Sequence, residues 1–260
     1  MPNIHAGDLD VHYLEAGDPR GAPVVLVHGN WATSSWWEPV LARVPAGYRA
    51  FAYDVRGRGG TTGPDSSYAI DALAADLLTF ATAVGADRFH LVGHSLGGAI
   101  ALQAALDAPD RVRSVAAIAP AWVDGAPAAY NQPDRQRQLA DDIAFFGGAL
   151  KALAPTVPDD EFWKRLVREG HTQRIDATLR NLDALEAWTP GDRLATIRPP
   201  KVVIAGALDP LTGGATAARA AEALGTPLVT LDGVGHSPII EVPDRIVALL
   251  ARLWSGATPA

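Results

Sequence analysis

Apolar residues fall into two rhythms along this chain. Short runs of apolar residues, bounded by turn formers, lie at Val11–Ala16, Pro23–His28, Tyr48–Asp54, Phe89–His94, Val112–Ala119, Lys201–Ala205 and Pro227–Leu231. A run such as Pro23-Val-Val-Leu-Val-His28 has no polar face, which predicts a strand covered on both sides. Between these runs, Ser34–Val44, Ile70–Val84, Leu96–Leu106, Ala215–Leu224 and Val242–Trp254 carry the three- and four-residue spacing of helices. Repeated strand–helix units predict an α/β fold, with a mostly parallel central sheet flanked by helices.

One stretch breaks the alternation. From Trp122 to Thr196 no strand pattern occurs, and helical spacing covers Arg135–Leu153, Asp160–Gly170 and Arg174–Trp188, with Pro155 and Pro158 between the first two. That is too long for an ordinary crossover. The expected organisation is a core of residues 1–121 and 197–260 and a helical cap of residues 122–196. The cap would cover the carboxyl edge of the sheet, where open α/β sheets bind ligands. The last residues, Ser255–Ala260, are expected to fray.

Composition narrows the function classes. With 260 residues, 48% of them apolar, the chain can bury a sizeable core. A net charge of −7 offers no footprint for nucleic acid. Arg135, Arg137, Lys164, Arg165 and Arg168 are dispersed among acids and suit a solvated helix face. There is no cysteine, so disulfides and thiolate chemistry are excluded. No run approaches 18 apolar residues, and Met1–Asp10 does not read as a secretory signal. The expectation is a cytoplasmic protein without a membrane span.

The strongest local feature is Phe89-His-Leu-Val-Gly-His-Ser-Leu-Gly-Gly98, which places Gly93-x-Ser95-x-Gly97 between a strand and a helix. A nucleophile on so sharp a turn needs small neighbours, and the helix amino terminus behind it favours developing negative charge. A serine hydroxyl also needs a base. Of seven histidines, His5 and His12 precede the main strands and are expected at the surface, and His90 and His171 read as structural or exposed. His28 and His94 adjoin the glycine turns and fit poorly as a base facing Ser95. His236, in Gly233-Val-Gly-His-Ser-Pro238 after the last strand, would lie at the same sheet edge as Ser95. An acid must then accept from the second ring nitrogen. Asp209 follows the Lys201–Ala205 strand, although Asp-Pro is also an ordinary turn starter; Asp124 is the rival.

The order Ser95, Asp209, His236 resembles that of the α/β-hydrolase superfamily over nearly the whole chain. His28-Gly29-Asn30-Trp31 resembles its oxyanion loop, and Asp54-Val-Arg-Gly-Arg-Gly59 its Asp-x-Arg-Gly-x-Gly turn. The resemblance implies an oxyanion hole built from the backbone N–H groups of Asn30 and Leu96. Haloalkane dehalogenases share His-Gly-Asn, but they and the epoxide hydrolases of this fold use an aspartate nucleophile where this chain has Ser95.

The implied chemistry is acyl transfer on a small to medium ester or lactone, without metal or organic cofactor. Trp31, Trp122, Phe145, Phe146 and Trp188 are the expected lining of an apolar substrate cavity. A carbon–carbon bond hydrolase of the meta-cleavage type and a non-catalytic ligand-binding protein remain alternatives.

Overall fold

The computed structural model describes residues 2–257. Its eight strands are β1 (Asn3–Ala6), β2 (Leu9–Gly17), β3 (Ala22–Val27), β4 (Tyr48–Tyr53), β5 (Phe89–His94), β6 (Val112–Ile118), β7 (Lys201–Gly206) and β8 (Leu228–Leu231). They form one sheet in the order β1-β2-β4-β3-β5-β6-β7-β8. β1 with β2, and β2 with β4, are antiparallel. The remaining pairs are parallel.

The strand period of two divides the core between the faces. Val25 and Val27 of β3, Phe51 and Tyr53 of β4, and Val203 and Ala205 of β7 join one apolar cluster. Their neighbours Val24, Leu26, Ala50, Ala52, Val202 and Ile204 join the other. Helices α2 (Ile70–Ala83), α3 (Leu96–Asp107) and α8 (Ala215–Leu224) contribute to the first cluster. The short α1 (Glu38–Leu41) and α9 (Pro238–Glu241), and the longer α10 (Pro243–Trp254), contribute to the second. This is the mostly parallel sheet flanked by helices that the alternation predicts, in the arrangement that the resemblance to α/β-hydrolases implies.

Several boundaries differ from the sequence pattern. The helix expected over Ser34–Val44 is a 3-10 turn, Ser34–Trp37, followed by one turn of α-helix. Pro39 has no N–H to return to Ser35, so a continuous α-helix cannot run through it. The helix expected over Arg135–Leu153 is two, α4 (Pro133–Asp141) and α5 (Ile143–Leu153). Asp142 divides them, with extended backbone and a carboxylate that accepts from the N–H groups of Ala144 and Phe145 at 2.8 and 3.0 Å. β1, four residues long, carries too little pattern to be read beforehand.

Between β6 and β7 the insertion continues through α6 (Glu161–His171), α7 (Ile175–Ala187) and a 3-10 turn at Gly191–Thr196. It does not build a separate core. Phe146 and Leu150 of α5, and Trp163 and Leu166 of α6, pack into the cluster that holds Ala32, Trp36 and Trp37. Of the tail expected to fray, Gly256 and Ala257 donate back to the carbonyls of Leu253 and Arg252, and residues 258–260 lie outside the described residues. Among the described residues no helix is long and apolar enough to cross a membrane.

Candidate active site

Ser95 lies between β5 and α3 with φ 53° and ψ −118°, a left-handed backbone that a non-glycine residue adopts only under constraint. The constraint is visible. Ser95 N–H donates to the Ile118 carbonyl at 3.0 Å, and the Ser95 carbonyl accepts from Gly98 and Ala121 at 2.8 and 3.2 Å. The flanking glycines are obligatory. A Cβ on Gly93 would collide with the Gly97 carbonyl, and one on Gly97 with the carbonyls of Val27 and His28. The Ser95 side chain makes no capping hydrogen bond to α3. Leu96 opens α3, where the N–H has no partner four residues back.

Across the sheet edge, His236 Nδ1 lies 2.9 Å from Asp209 Oδ2. Both groups are buried. Asp209 is also a turn former: its Oδ1 accepts from the N–H groups of Leu211 and Thr212 at 2.8 and 3.1 Å. One carboxylate oxygen thus meets the imidazole and the other caps the turn. Burial alone would raise the Asp209 pKa. The bond to His236, the charge of that ring and the two amides outweigh it and hold the carboxyl at about 2. Asp124 is elsewhere, in a two-bond ion pair with Arg219 at 2.8 and 3.0 Å.

No local pattern singles out Thr212, which meets both Asp209 and His236. Its buried hydroxyl lies 3.0 Å from Asp209 Oδ2, 3.3 Å from His236 Nδ1 and 3.0 Å from the Ala119 carbonyl. Its one proton can go to Ala119 or Asp209, and in either case a lone pair faces the imidazole. His94, beside the glycine turn, directs its Nε2 to the His236 carbonyl at 2.8 Å. Burial, then the neighbouring His236, lowers its pKa to about 3, so the ring is neutral. His28 is neutral too, pushed down to about 4 chiefly by burial. Its Nδ1 bonds the Gly29 carbonyl at 2.7 Å and its Nε2 accepts from Val55 N–H at 3.0 Å.

The expectation for His12 is corrected. It lies in β2, partly buried, with Nδ1 2.8 Å from Asp54 Oδ2, because β1 and β2 extend the sheet over the Asp54 turn. Asp54 also accepts from Ser34 and Gly60 N–H groups at 2.6 and 2.8 Å. Arg56 grips Asp76 through two bonds of 2.8 and 2.7 Å and reaches Asp8 at 3.0 Å. These bonds brace the turn against β2, the 3-10 turn at Ser34 and α2.

Gly29, Asn30, Trp31, His94, Ser95, Tyr130, Leu211 and His236 line a chamber of about 60 Å³. It adjoins an apolar cavity of about 330 Å³ under α4 and α5, and Trp31, Tyr130, Leu150, Leu153 and Leu211 line both. Trp31 donates from Nε1 to Gln136 at 3.0 Å, and Phe146 lines the larger cavity. The other three expected aromatics lie outside both linings. Trp188 is buried in the core and donates to Gln103 at 3.0 Å. Trp122 packs on Tyr130, with ring centroids 4.5 Å apart, and against the same core. Phe145 is 38% exposed. Apolar type alone does not distinguish a cavity wall from a core contact or a solvent-facing helix position.

A profile of the Alpha/beta hydrolase family matches residues 24–249. A Rhizobium rhizogenes protein described as a candidate carbamate hydrolase, RutD, is 30% identical over 248 residues, covering 91% of this chain and 93% of the relative. Epoxide hydrolase A of Mycobacterium tuberculosis is 30% identical, covering 97% and 96%. N-formylmaleamate deformylase of Pseudomonas putida is 29% identical, covering 78% and 76%. Among solved structures, the enol-lactonase of Burkholderia xenovorans LB400 superposes with a TM-score of 0.83 at 22% identity, over 98% of this chain and all of that one, a likeness of fold.

Proposed function

The chain belongs to the alpha/beta hydrolase family, and within it we propose a serine hydrolase that cleaves a small to medium carboxylic ester or lactone. Ser95 is the nucleophile, His236 the general base and Asp209 the acid that orients the base. The observation that carries this reading is the Asp209–His236 pair, closed at 2.9 Å, whose His236 lines the same chamber as Ser95.

Asp209 accepts from Nδ1–H, which leaves Nε2 of His236 as the proton acceptor. His236 takes the Ser95 proton as Oγ attacks the carbonyl carbon. The tetrahedral oxyanion is held by the N–H groups of Asn30 and Leu96, each such donor being worth about 3 kcal/mol. The intermediate collapses to the acyl-enzyme, and the alcohol leaves with the proton from His236. Water, deprotonated by His236, repeats the attack and releases the acid and Ser95. The 330 Å³ apolar cavity suits the hydrocarbon part of the substrate.

Ser95 stands where epoxide hydrolases of this fold need an aspartate, so epoxide opening is not the proposed reaction. Two relatives are named for carbamate and N-formyl cleavage, which makes amides and carbamates the second substrate class to test.

A fluorophosphonate probe and a panel of p-nitrophenyl esters, lactones, amides and vinylogous diketones test the reading. Labelling that disappears in Ser95→Ala, with turnover of esters or lactones, supports it. Folded native protein that neither labels nor turns over any of the panel is a binding protein instead. Preference for the diketones assigns carbon–carbon cleavage.

A further inference from the structure

Beneath the oxyanion loop lies a buried polar cluster that the reaction scheme leaves unused. Arg58, 1% exposed, directs its guanidinium to uncharged acceptors. Nη2 donates to Asn30 Oδ1 at 2.5 Å, and Nη1 donates to Thr178 Oγ1 at 2.8 Å and to the Arg174 carbonyl at 3.4 Å. Asn181, on α7 of the insertion, donates to the same Asn30 Oδ1 at 2.9 Å. Asn30 Nδ2 donates to the Thr178 carbonyl at 3.3 Å. The Asn30 side chain is thus held from three directions by Arg58, Asn181 and Thr178.

As a stability device the cluster is poor. Burying a guanidinium against neutral acceptors carries a desolvation penalty that only a carboxylate would largely offset. Arg58 Nε and Asn181 Oδ1, both buried, make no hydrogen bond. Each such atom costs about 1–3 kcal/mol. Apolar side chains of similar volume would be cheaper.

We propose that Arg58 and Asn181 are positioning residues for the oxyanion hole. By occupying both lone pairs of Asn30 Oδ1, they hold the Asn30 side chain in the body of the protein and thereby fix its backbone N–H at the Ser95 chamber. The inference rests on the serine hydrolase reading above. It makes α7 part of the catalytic frame. Neither residue touches substrate; each acts through Asn30.

The test is a mutant cycle measured with p-nitrophenyl butyrate. Arg58→Met and Asn181→Leu should each lower kcat about tenfold or more while KM stays within about twofold, because one mispositioned oxyanion donor acts on the transition state. In an Asn30→Ala background the same two substitutions should lower kcat no further, since the oxygen through which they act is gone. Arg58→Lys, which retains a donor, should recover part of the loss. Thermal melting of every variant separates this from unfolding: general destabilisation would lower kcat equally in both backgrounds and track the melting temperature. Full additivity with Asn30→Ala, or unchanged kcat in folded Arg58→Met and Asn181→Leu, overturns the inference and leaves the serine hydrolase reading intact. Wild-type protein that neither labels with fluorophosphonate nor hydrolyses the ester overturns both.

Discussion

His94 Nε2 lies 2.8 Å from the main-chain carbonyl of His236, with the two rings 5.1 Å apart. A carbonyl only accepts, so the His94 proton is on Nε2. His94, next to Ser95 in sequence, therefore tethers the loop that carries His236. Replacing His94 by Phe keeps the ring and removes the donor, leaving a buried carbonyl unpaired. The expected result is a kcat about tenfold lower, with the melting temperature also reduced. Steady-state kinetics beside a thermal melt check it, and unchanged kcat would remove the tether from the account.

Asp209→Asn should lower turnover by about 10²–10⁴-fold, because an amide can present its N–H to the ring and favour the wrong tautomer. Folding should survive, since the oxygen that accepts from Leu211 and Thr212 can be kept. The depressed Asp209 pKa also links to stability. A group lowered from 3.8 to about 2 stabilises the fold at pH values above 3.8 and loses that contribution as pH falls through 2. The stability gap between wild type and Asp209→Asn should therefore close with acidification, as denaturant titrations over that range would show.

The His12–Asp54 pair has the opposite sign on its histidine. The bond to Asp54 raises the His12 pKa above 6.5, against partial desolvation. Its stabilisation is full below 6.5 and is lost as pH rises through the raised value. Urea unfolding of wild type and His12→Asn should differ most near about pH 5.5 and least near about pH 9. A difference independent of pH would show that the pair holds without the proton.

Gly93→Ala should destabilise the protein by about 3 kcal/mol and abolish labelling at Ser95, because the new methyl meets the Gly97 carbonyl, a backbone atom that cannot step aside. Chemical denaturation and probe labelling measure the two effects. A stable, fully labelled variant would mean that the turn has more room than its geometry indicates.

Two tryptophans should separate cleanly. Trp188→Phe loses the bond to Gln103 and packing in the core, so it should cost about 1–3 kcal/mol and leave kcat and KM near wild type. Trp31→Ala opens the wall shared by the chamber and the cavity, and should shift preference toward bulkier acyl groups. An acyl-chain series of p-nitrophenyl esters distinguishes them. A changed chain-length profile in Trp188→Phe would place that residue at the substrate after all.

Residue order and local pattern alone carried the α/β class, the strands β2 to β8, and the candidates Ser95, Asp209 and His236. Such features are written in short windows: a buried strand is a continuous apolar run, and a sharp strand-to-helix turn requires Gly93 and Gly97 wherever it occurs. What depended on the folded chain were relations across long separations. His12 meets Asp54 because β2 pairs with β4, Asn181 reaches Asn30 across 151 positions, and Trp188 turns to Gln103 instead of the cavity. An apolar or polar side chain has the same identity whichever neighbour it finds. The neighbour is chosen by how helices and loops pack over the sheet, and that packing is a property of the whole core, not of any local stretch.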